Sequence, residues 1–499
     1  MSSARERPGH VATRRLFLRL LGAVYFVAFA SLAVQVIGLV GEHGVMPARP
    51  YLDWARSIYG DDAYRLLPTV FWLGASDAAL KLAAWGGAVL SLLLVLGVAP
   101  LAMLVLLWIL YLSLGVVGQD FLSFQWDALL LETGLLAMLW TPAAVAPSGR
   151  LPRFAREGAP ARLLIVFLLF KLMFLSGATK LLSGDPTWRG LTALGWHFET
   201  QPLPPWTAWY AHHWPEGVHR ALTLFTLAGE LVVPWLLLVP ARFVRIGAAI
   251  TLVVLQVGIE ATGNFGFFNL LTVVLCVAAL DDGVLARLGI RTPAGPPRTV
   301  SPRRRMLVLV LATVILVLSA LSAVRELAYT IPAGRGARLL PRWSEQLLGF
   351  VAPLRSINGY GLFRVMTTER PELVLEGSRD GRTWEAYGFR YKPGDPLRRP
   401  GLVAPFHPRL DWQLWFAALS PMQSYPWLET LAGRLREGRP EVLGLLGRDP
   451  FESAPPRYTR AVLYDYRFTT ADERRRTGAW WSRELEGTIP LGPQASPSP

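Results

Sequence analysis

Long apolar runs separated by short polar links repeat along the first two thirds of the chain. Runs near twenty residues match the hydrocarbon thickness of a bilayer and predict spanning helices. They fall at about 16–40, 78–97, 100–118, 124–141, 162–182, 219–239, 244–261, 264–282 and 306–328, about nine spans in all. The links at Gly97–Pro100 and Ala261–Asn264 are short enough to predict tight helical hairpins. Run 124–141 is the most polar of the set, because it carries Asp127 and Glu132.

After residue 335 the pattern changes from runs to alternation. Glu372–Ser378 and Thr383–Tyr391 alternate and flank Arg379-Asp380-Gly381-Arg382. A central Asp-Gly between such runs predicts a β-hairpin. Arg457–Phe468 and Ala479–Ile489 read as further strands. The expected organisation is a basic tail at 1–15, a multi-pass helical membrane domain at 16–328, a β-rich domain at 335–490 and a disordered tail at 491–499. The fold class is thus a polytopic α-helical membrane protein with a C-terminal extracytoplasmic β-rich domain.

Composition agrees with a membrane protein. Of 499 residues, 52% are apolar and 17% charged, against about 25% charged in soluble domains; the mean hydropathy is +0.34. The net charge of +14 raises the question of nucleic acid. No zinc-finger spacing or Gly-rich RNA motif accompanies it, so the charge is read as topology and no nucleic-acid partner is expected. Under the positive-inside rule the N-terminal tail, with Arg5, Arg7, Arg14 and Arg15, is cytoplasmic. Counting alternately, links 142–161 and 283–305 share that side, with Arg150, Arg153 and Arg156 in the first and Arg287, Arg291, Arg298, Arg303, Arg304 and Arg305 in the second. The opposite loop 41–77 is acidic on balance. An odd number of spans then leaves the C-terminal domain outside. The N-terminal apolar run lacks a small-residue cleavage site and is read as an uncleaved first span.

Cys276 is the single cysteine, which excludes an intramolecular disulfide, Cys-ligated zinc and thiol–disulfide chemistry by this chain alone. Only Lys81, Lys171, Lys180 and Lys392 among the 50 basic residues are lysine. Lysine can lose its proton when buried and arginine cannot, so a lysine in a span is a candidate for chemistry. Lys171 and Lys180 are nine residues apart on one helix, which puts them on opposite faces. Lys180, at the outer end, is the candidate for an outward cavity. Lys171, near mid-membrane, is expected to pair with Glu230 or Glu132.

Asp127, Glu260 and Asn264 converge on the same outer face as Lys180. The loop 185–220 is rich in Trp and His, and His197 with Glu199 forms a candidate acid–base pair. Each of these residues also has a structural reading, since polar groups in spans tie helices together. No zincin pattern accompanies the histidines and no Gly-x-Ser-x-Gly elbow occurs, so neither metal nor lipase chemistry is expected of this chain. No cofactor is implied.

Four stretches carry a resemblance: Phe121-Leu-Ser-Phe-Gln-Trp-Asp-Ala-Leu-Leu-Leu-Glu-Thr-Gly134, Trp188-Arg-Gly-Leu-Thr-Ala-Leu-Gly-Trp-His-Phe-Glu-Thr-Gln-Pro-Leu-Pro204, Gly263-Asn-Phe-Gly-Phe-Phe-Asn-Leu-Leu-Thr272 and Asn358-Gly-Tyr-Gly-Leu-Phe-Arg-Val-Met-Thr-Thr-Glu-Arg-Pro371. In sequence, order and spacing they resemble the lipase maturation factor family, over about residues 15–490. The resemblance implies a multi-pass protein of the endoplasmic reticulum membrane in eukaryotes, with its C-terminal domain in the lumen, that helps secreted lipases reach their active fold. The Arg-, Ala- and Pro-rich composition resembles a bacterial member, for which the cytoplasmic membrane takes that place. The implied partners are a client lipase or other exported protein and the bilayer. Trp384, Trp412, Trp415, Trp480 and Trp481 are the candidate client contacts.

A second, more distant likeness concerns Ser176-Gly-Ala-Thr-Lys-Leu-Leu-Ser183, followed by Asp185 and Trp188. It resembles the span end of vitamin K-dependent carboxylase-type membrane domains, where a lysine is the catalytic base. Lys180 matches that lysine, although nothing else in the chain marks a quinone site. Two functions follow. One is a folding factor without chemistry. The alternative is a membrane enzyme acting on a lipid-soluble or chain-tethered substrate, with Lys180 or His197 as base and Asp127 and Glu260 orienting.

Overall fold

The computed structural model describes residues 9–142, 159–290, 301–331, 340–420 and 425–492. Most of the predicted basic tail, the arginines at 150, 153, 156, 291 and 298, and nearly all of the tail from 491 lie outside the described residues.

All nine apolar runs are helical. The main helices are α1 (Val11–Ala33), α2 (Asp77–Leu96), α3 (Pro100–Val117), α4 (Gln125–Trp140), α5 (Ala159–Leu182), α6 (Ala193–Thr200), α7 (Glu216–Leu231), α8 (Val233–Leu237), α9 (Arg242–Thr262), α10 (Phe268–Val277) and α11 (Pro302–Thr330). Six of them, α1, α2, α3, α5, α9 and α11, are long and apolar enough to cross a membrane. The other three runs give shorter helices. Run 219–239 breaks between α7 and α8, because Pro234 lacks the N–H that would continue the ladder. The hairpin at 97–100 forms as expected: Gly97 takes φ +81° and Pro100 opens α3. Left-handed backbone at that cap favours glycine.

The helix ends sort into two layers. At one end, Asp282 accepts from Val11 and Thr13 N–H, and Arg14 donates to the Trp140 carbonyl. Arg162 and Arg245 cap the carbonyls of Ala278 and Ala279, Arg242 pairs with Asp281, and Arg304 reaches the Thr141 carbonyl. This end therefore gathers five arginines that cap or pair with helix ends. At the other end sits the C-terminal region.

That region holds an antiparallel sheet of four strands, β1 (Pro371–Ser378), β2 (Glu385–Ala386), β3 (Tyr458–Phe468) and β4 (Trp481–Leu491), in the order β2-β1-β3-β4. The predicted hairpin is present. Asp380 accepts the N–H groups of Arg382 and Thr383, and Gly381 turns at φ +74°. The arm after the turn pairs over two residues only, Glu385 and Ala386. The sheet is smaller than a β-rich domain implies. Helices α12 (Arg342–Val351), α13 (Arg409–Ala418) and α14 (Trp427–Arg436) share the region with it. Trp412 and Trp415 lie on α13, not on a strand. One continuous apolar core runs from α1 and α4 through α13 and α14 to β1 and β3.

Candidate functional site

The membrane helices and the C-terminal region meet in a buried polar seam. Arg409, at the start of α13, places Nη1 and Nη2 each 2.8 Å from an oxygen of Asp127 on α4. Its Nη1 also donates to the Phe121 carbonyl, and Tyr111 donates its hydroxyl to Asp127 at 2.5 Å. Both charged side chains are almost fully buried. Burial acts to lower the Arg409 pKa, yet the Asp127 carboxylate outweighs it and holds it above the usual arginine value.

A second cluster surrounds Glu132, one and a half turns further along α4. Lys171 lies 2.5 Å from Glu132 Oε1, while Tyr360 Oη donates to Oε2 at 2.7 Å and the Asn358 amide at 3.2 Å. The expected alternative partners of Lys171 resolve in favour of Glu132. Glu230 pairs with Lys180 instead, with Nζ 2.8 Å from each carboxylate oxygen. The two lysines do lie on opposite faces of α5.

Asn264 binds across the same seam. Its amide donates to the Leu203 and Gly401 carbonyls, and its side-chain oxygen accepts from Val403 and Ala404 N–H. Asp185 accepts the Met366 N–H, and Trp188 Nε1 donates to the Phe363 carbonyl. Gln125 accepts the Gly361 N–H. The four signature stretches are thus in contact with one another. Sequence reasoning singled out Asp127, Lys171 and Lys180, held Asn358 and Tyr360 only within the fourth signature stretch and without a role, and missed Arg409, which carries no local signal of its partner.

Beside the seam, α5, α6, α7 and α9 enclose an apolar cavity of about 280 Å³. Lys180, His197 and Glu230 are its ionisable groups. A smaller chamber of about 50 Å³ adjoins it and shares Lys180, Glu230, Phe265 and Phe363 as walls. Phe363 holds φ +52°, a left-handed backbone that costs a side-chain-bearing residue roughly 1–3 kcal/mol. The Trp188 hydrogen bond helps hold it there. Lys180 Nζ also lies 5.0 Å from the Trp188 ring centroid.

Of the four candidate catalytic residues, the structure brings together Lys180 and His197. Asp127 is held in the seam by Arg409. Glu260 accepts from Asn269 at 2.7 Å and lines neither chamber. His197 does not meet Glu199. It packs between Phe265 and Phe363, and burial with the nearby Lys180 charge lowers its pKa to about 4. Glu199 accepts the Phe468 N–H and lies 4.0 Å from His212.

The candidate client contacts are mostly interior. Trp412, Trp415, Trp480 and Trp481 are 2–7% exposed. They pack in the core, Trp412 against Phe124 and Trp126, and Trp481 against Phe468. Trp384 is half-buried and stacks beneath Arg460 at 4.1 Å. Among the described residues no cluster of three or more His, Cys, Asp or Glu side chains is arranged to hold a metal ion.

Apolar helices long enough to cross a bilayer, tied by the buried Arg409–Asp127 pair and by seam hydrogen bonds to a C-terminal region, define a multi-pass membrane protein. Two family models match it in order: the lipase maturation factor transmembrane domain over residues 12–287 and the lipase maturation factor C-terminal domain over residues 356–490. The chain belongs to the lipase maturation factor family. It is 37% identical to lipase maturation factor 2 of Homo sapiens, over 94% of this chain and 81% of that one. It is likewise 37% identical to lipase maturation factor 1 of Bos taurus, over 95% of this chain and 88% of that one. No solved structure matches it.

Proposed function

We propose that this protein is a membrane-bound maturation factor that helps secreted lipases, or similar exported proteins, reach their active fold through its C-terminal domain. One observation carries this reading. Both domains of the family match in order, and the residues of all four signature stretches build one shared seam. The relatives that match along nearly the whole chain are named lipase maturation factors.

The proposed orientation has the N-terminus in the cytoplasm and the C-terminal domain outside, in the cytoplasmic membrane of a bacterium. The gathering of Arg14, Arg162, Arg242, Arg245 and Arg304 at one end supports it, since basic residues favour the cytoplasmic side. The nine-span count rests on the same parity. Client contact is assigned to the outer surface of the C-terminal domain, where Trp384 is the one candidate tryptophan that is half-buried and not in the core.

The enzyme reading draws support from Lys180 and His197 sharing a cavity wall. Its cost is that Lys180 must first leave a two-point ion pair with Glu230 before it acts as a base.

The test is deletion of the gene in its host with plasmid-borne restoration, scoring secreted lipase activity per unit of lipase antigen. A fall in specific activity with antigen still present is expected. Unchanged specific activity overturns the lipase assignment.

A further inference from the structure

The large cavity differs from ordinary packing gaps in where it opens. Phe225 and Val254 line it and are also exposed on the outside of α7 and α9, next to exposed Leu224 and Val257. Since α9 is long and apolar enough to cross a bilayer, that apolar mouth is read as facing hydrocarbon. At about 280 Å³ the cavity falls just short of the range for small-molecule sites, roughly 300–1,000 Å³. That is room for one chain, not for a two-chain lipid.

The inner end is polar and short of partners. His197 makes no hydrogen bond among the described residues, although a neutral imidazole offers one donor and one acceptor. In the small chamber, Gln256 Oε1, Asn269 Oδ1 and Trp126 Nε1 are all buried without a partner among the described residues. These side chains are 2–3% exposed. Two acceptors and a donor around about 50 Å³ leave room for a hydroxyl-bearing group, since roughly 10–15 Å³ of such space holds one water. The charge balance selects further. Glu230 already neutralises Lys180, so no net positive charge remains for a phosphate or carboxylate head.

We propose that this cavity binds a single-chain neutral lipid, its hydrocarbon chain in the large chamber and its hydroxyl-bearing head at the boundary between His197 and the small chamber. The site is independent of the lipase-maturation reading, and its test uses no lipase.

The full chain is reconstituted in phosphatidylcholine nanodiscs and photolabelled with a diazirine-bearing monoacylglycerol. Labelled residues are mapped by peptide mass spectrometry. Label is expected on Leu222, Phe225, Val254 and Ile259, displaced by 1-monoolein about tenfold better than by methyl oleate, the difference expected of hydrogen bonds to buried polar groups. Gly258 lines the cavity, and a Cβ there meets nothing within 4 Å. Gly258→Phe therefore starts from open space at the cavity wall and, with its ring turned into the cavity, is expected to lose the label. Gly247, on the same helix, is equally open but lines neither chamber, so Gly247→Phe is expected to keep it. Label spread evenly over the lipid-facing side of α11, or unchanged in Gly258→Phe, overturns the site. Equal displacement by methyl oleate overturns the assignment of the head, and occupation of the small chamber by water alone follows. Displacement equally strong with added phosphatidylcholine means surface lipid, which also overturns it. Should Gly258→Phe fail to fold, the competition series decides alone.

Discussion

Arg409 closes both Nη atoms on the two oxygens of Asp127 at 2.8 Å, across 282 residues of sequence. Neither side chain reaches water. Replacing one partner leaves the other charge buried alone, at a cost of about 3–5 kcal/mol. Arg409→Met is therefore expected to lower the thermal midpoint in detergent strongly. The double variant Asp127→Leu with Arg409→Met is expected to recover much of that loss. A double variant no better than the single would refute the pairing argument.

The Glu132 cluster makes a milder prediction. Tyr360→Phe removes one hydrogen bond to a buried carboxylate and leaves those from Lys171 and Asn358. The expected loss is about 1–3 kcal/mol, read as a shift in the denaturation midpoint. Lys171→Met strips the cluster of its only cation and is expected to cost more than Tyr360→Phe.

Buried and half-buried histidines set an acid limit. Burial and, for His197, the Lys180 charge lower its pKa to about 4; burial and His213 do the same for His212, also to about 4. Burial and Arg409 push His407 well below the usual 6.5. Unfolded chains protonate these rings at about 6.5, before the folded protein does. Their contribution is thus intact above pH 6.5 and lost as pH falls toward 4. Glu199 and Asp411, whose carboxyls burial raises, act in the opposite sense. Thermal scans from pH 7.5 to 4.5 are expected to show a falling midpoint. His407 has both ring nitrogens buried without a partner among the described residues and packs on Phe124 and Trp126. His407→Phe is accordingly expected to flatten the slope and to stabilise.

Lys180 separates the two functional readings. The maturation reading expects Lys180→Met with Glu230→Leu to retain lipase-specific activity once folded amounts are matched. The enzyme reading expects activity to vanish in that variant and in Lys180→Arg, because arginine stays charged. Activity retained in both would end the enzyme reading.

How far the sequence disclosed these features depends on range. The apolar runs located every main membrane helix, because hydropathy over twenty residues is a local property. Helical arithmetic on Lys171 and Lys180 correctly set them on opposite faces. The break at Pro234 and the ten-residue length of α10 were hidden in runs that hydropathy alone cannot divide. Arg409 was not legible at all, and Tyr360 only as a member of a signature stretch without a role, since their pairing depends on how the C-terminal region docks. The tryptophans were ambiguous for a related reason: an aromatic side chain fits a client surface and a core equally well, and only the packing of α13 and β4 shows which of them are buried.

The Arg409–Asp127 tie also imposes an order of events during synthesis. At about 5–20 residues per second, the 282 residues between them delay the arrival of Arg409 by roughly 14–56 s. Until then the helix carrying Asp127 has no guanidinium to receive its carboxylate. The final packing of this early helix waits for a segment made near the end of translation, so the membrane half cannot reach its mature arrangement before the distal half has docked.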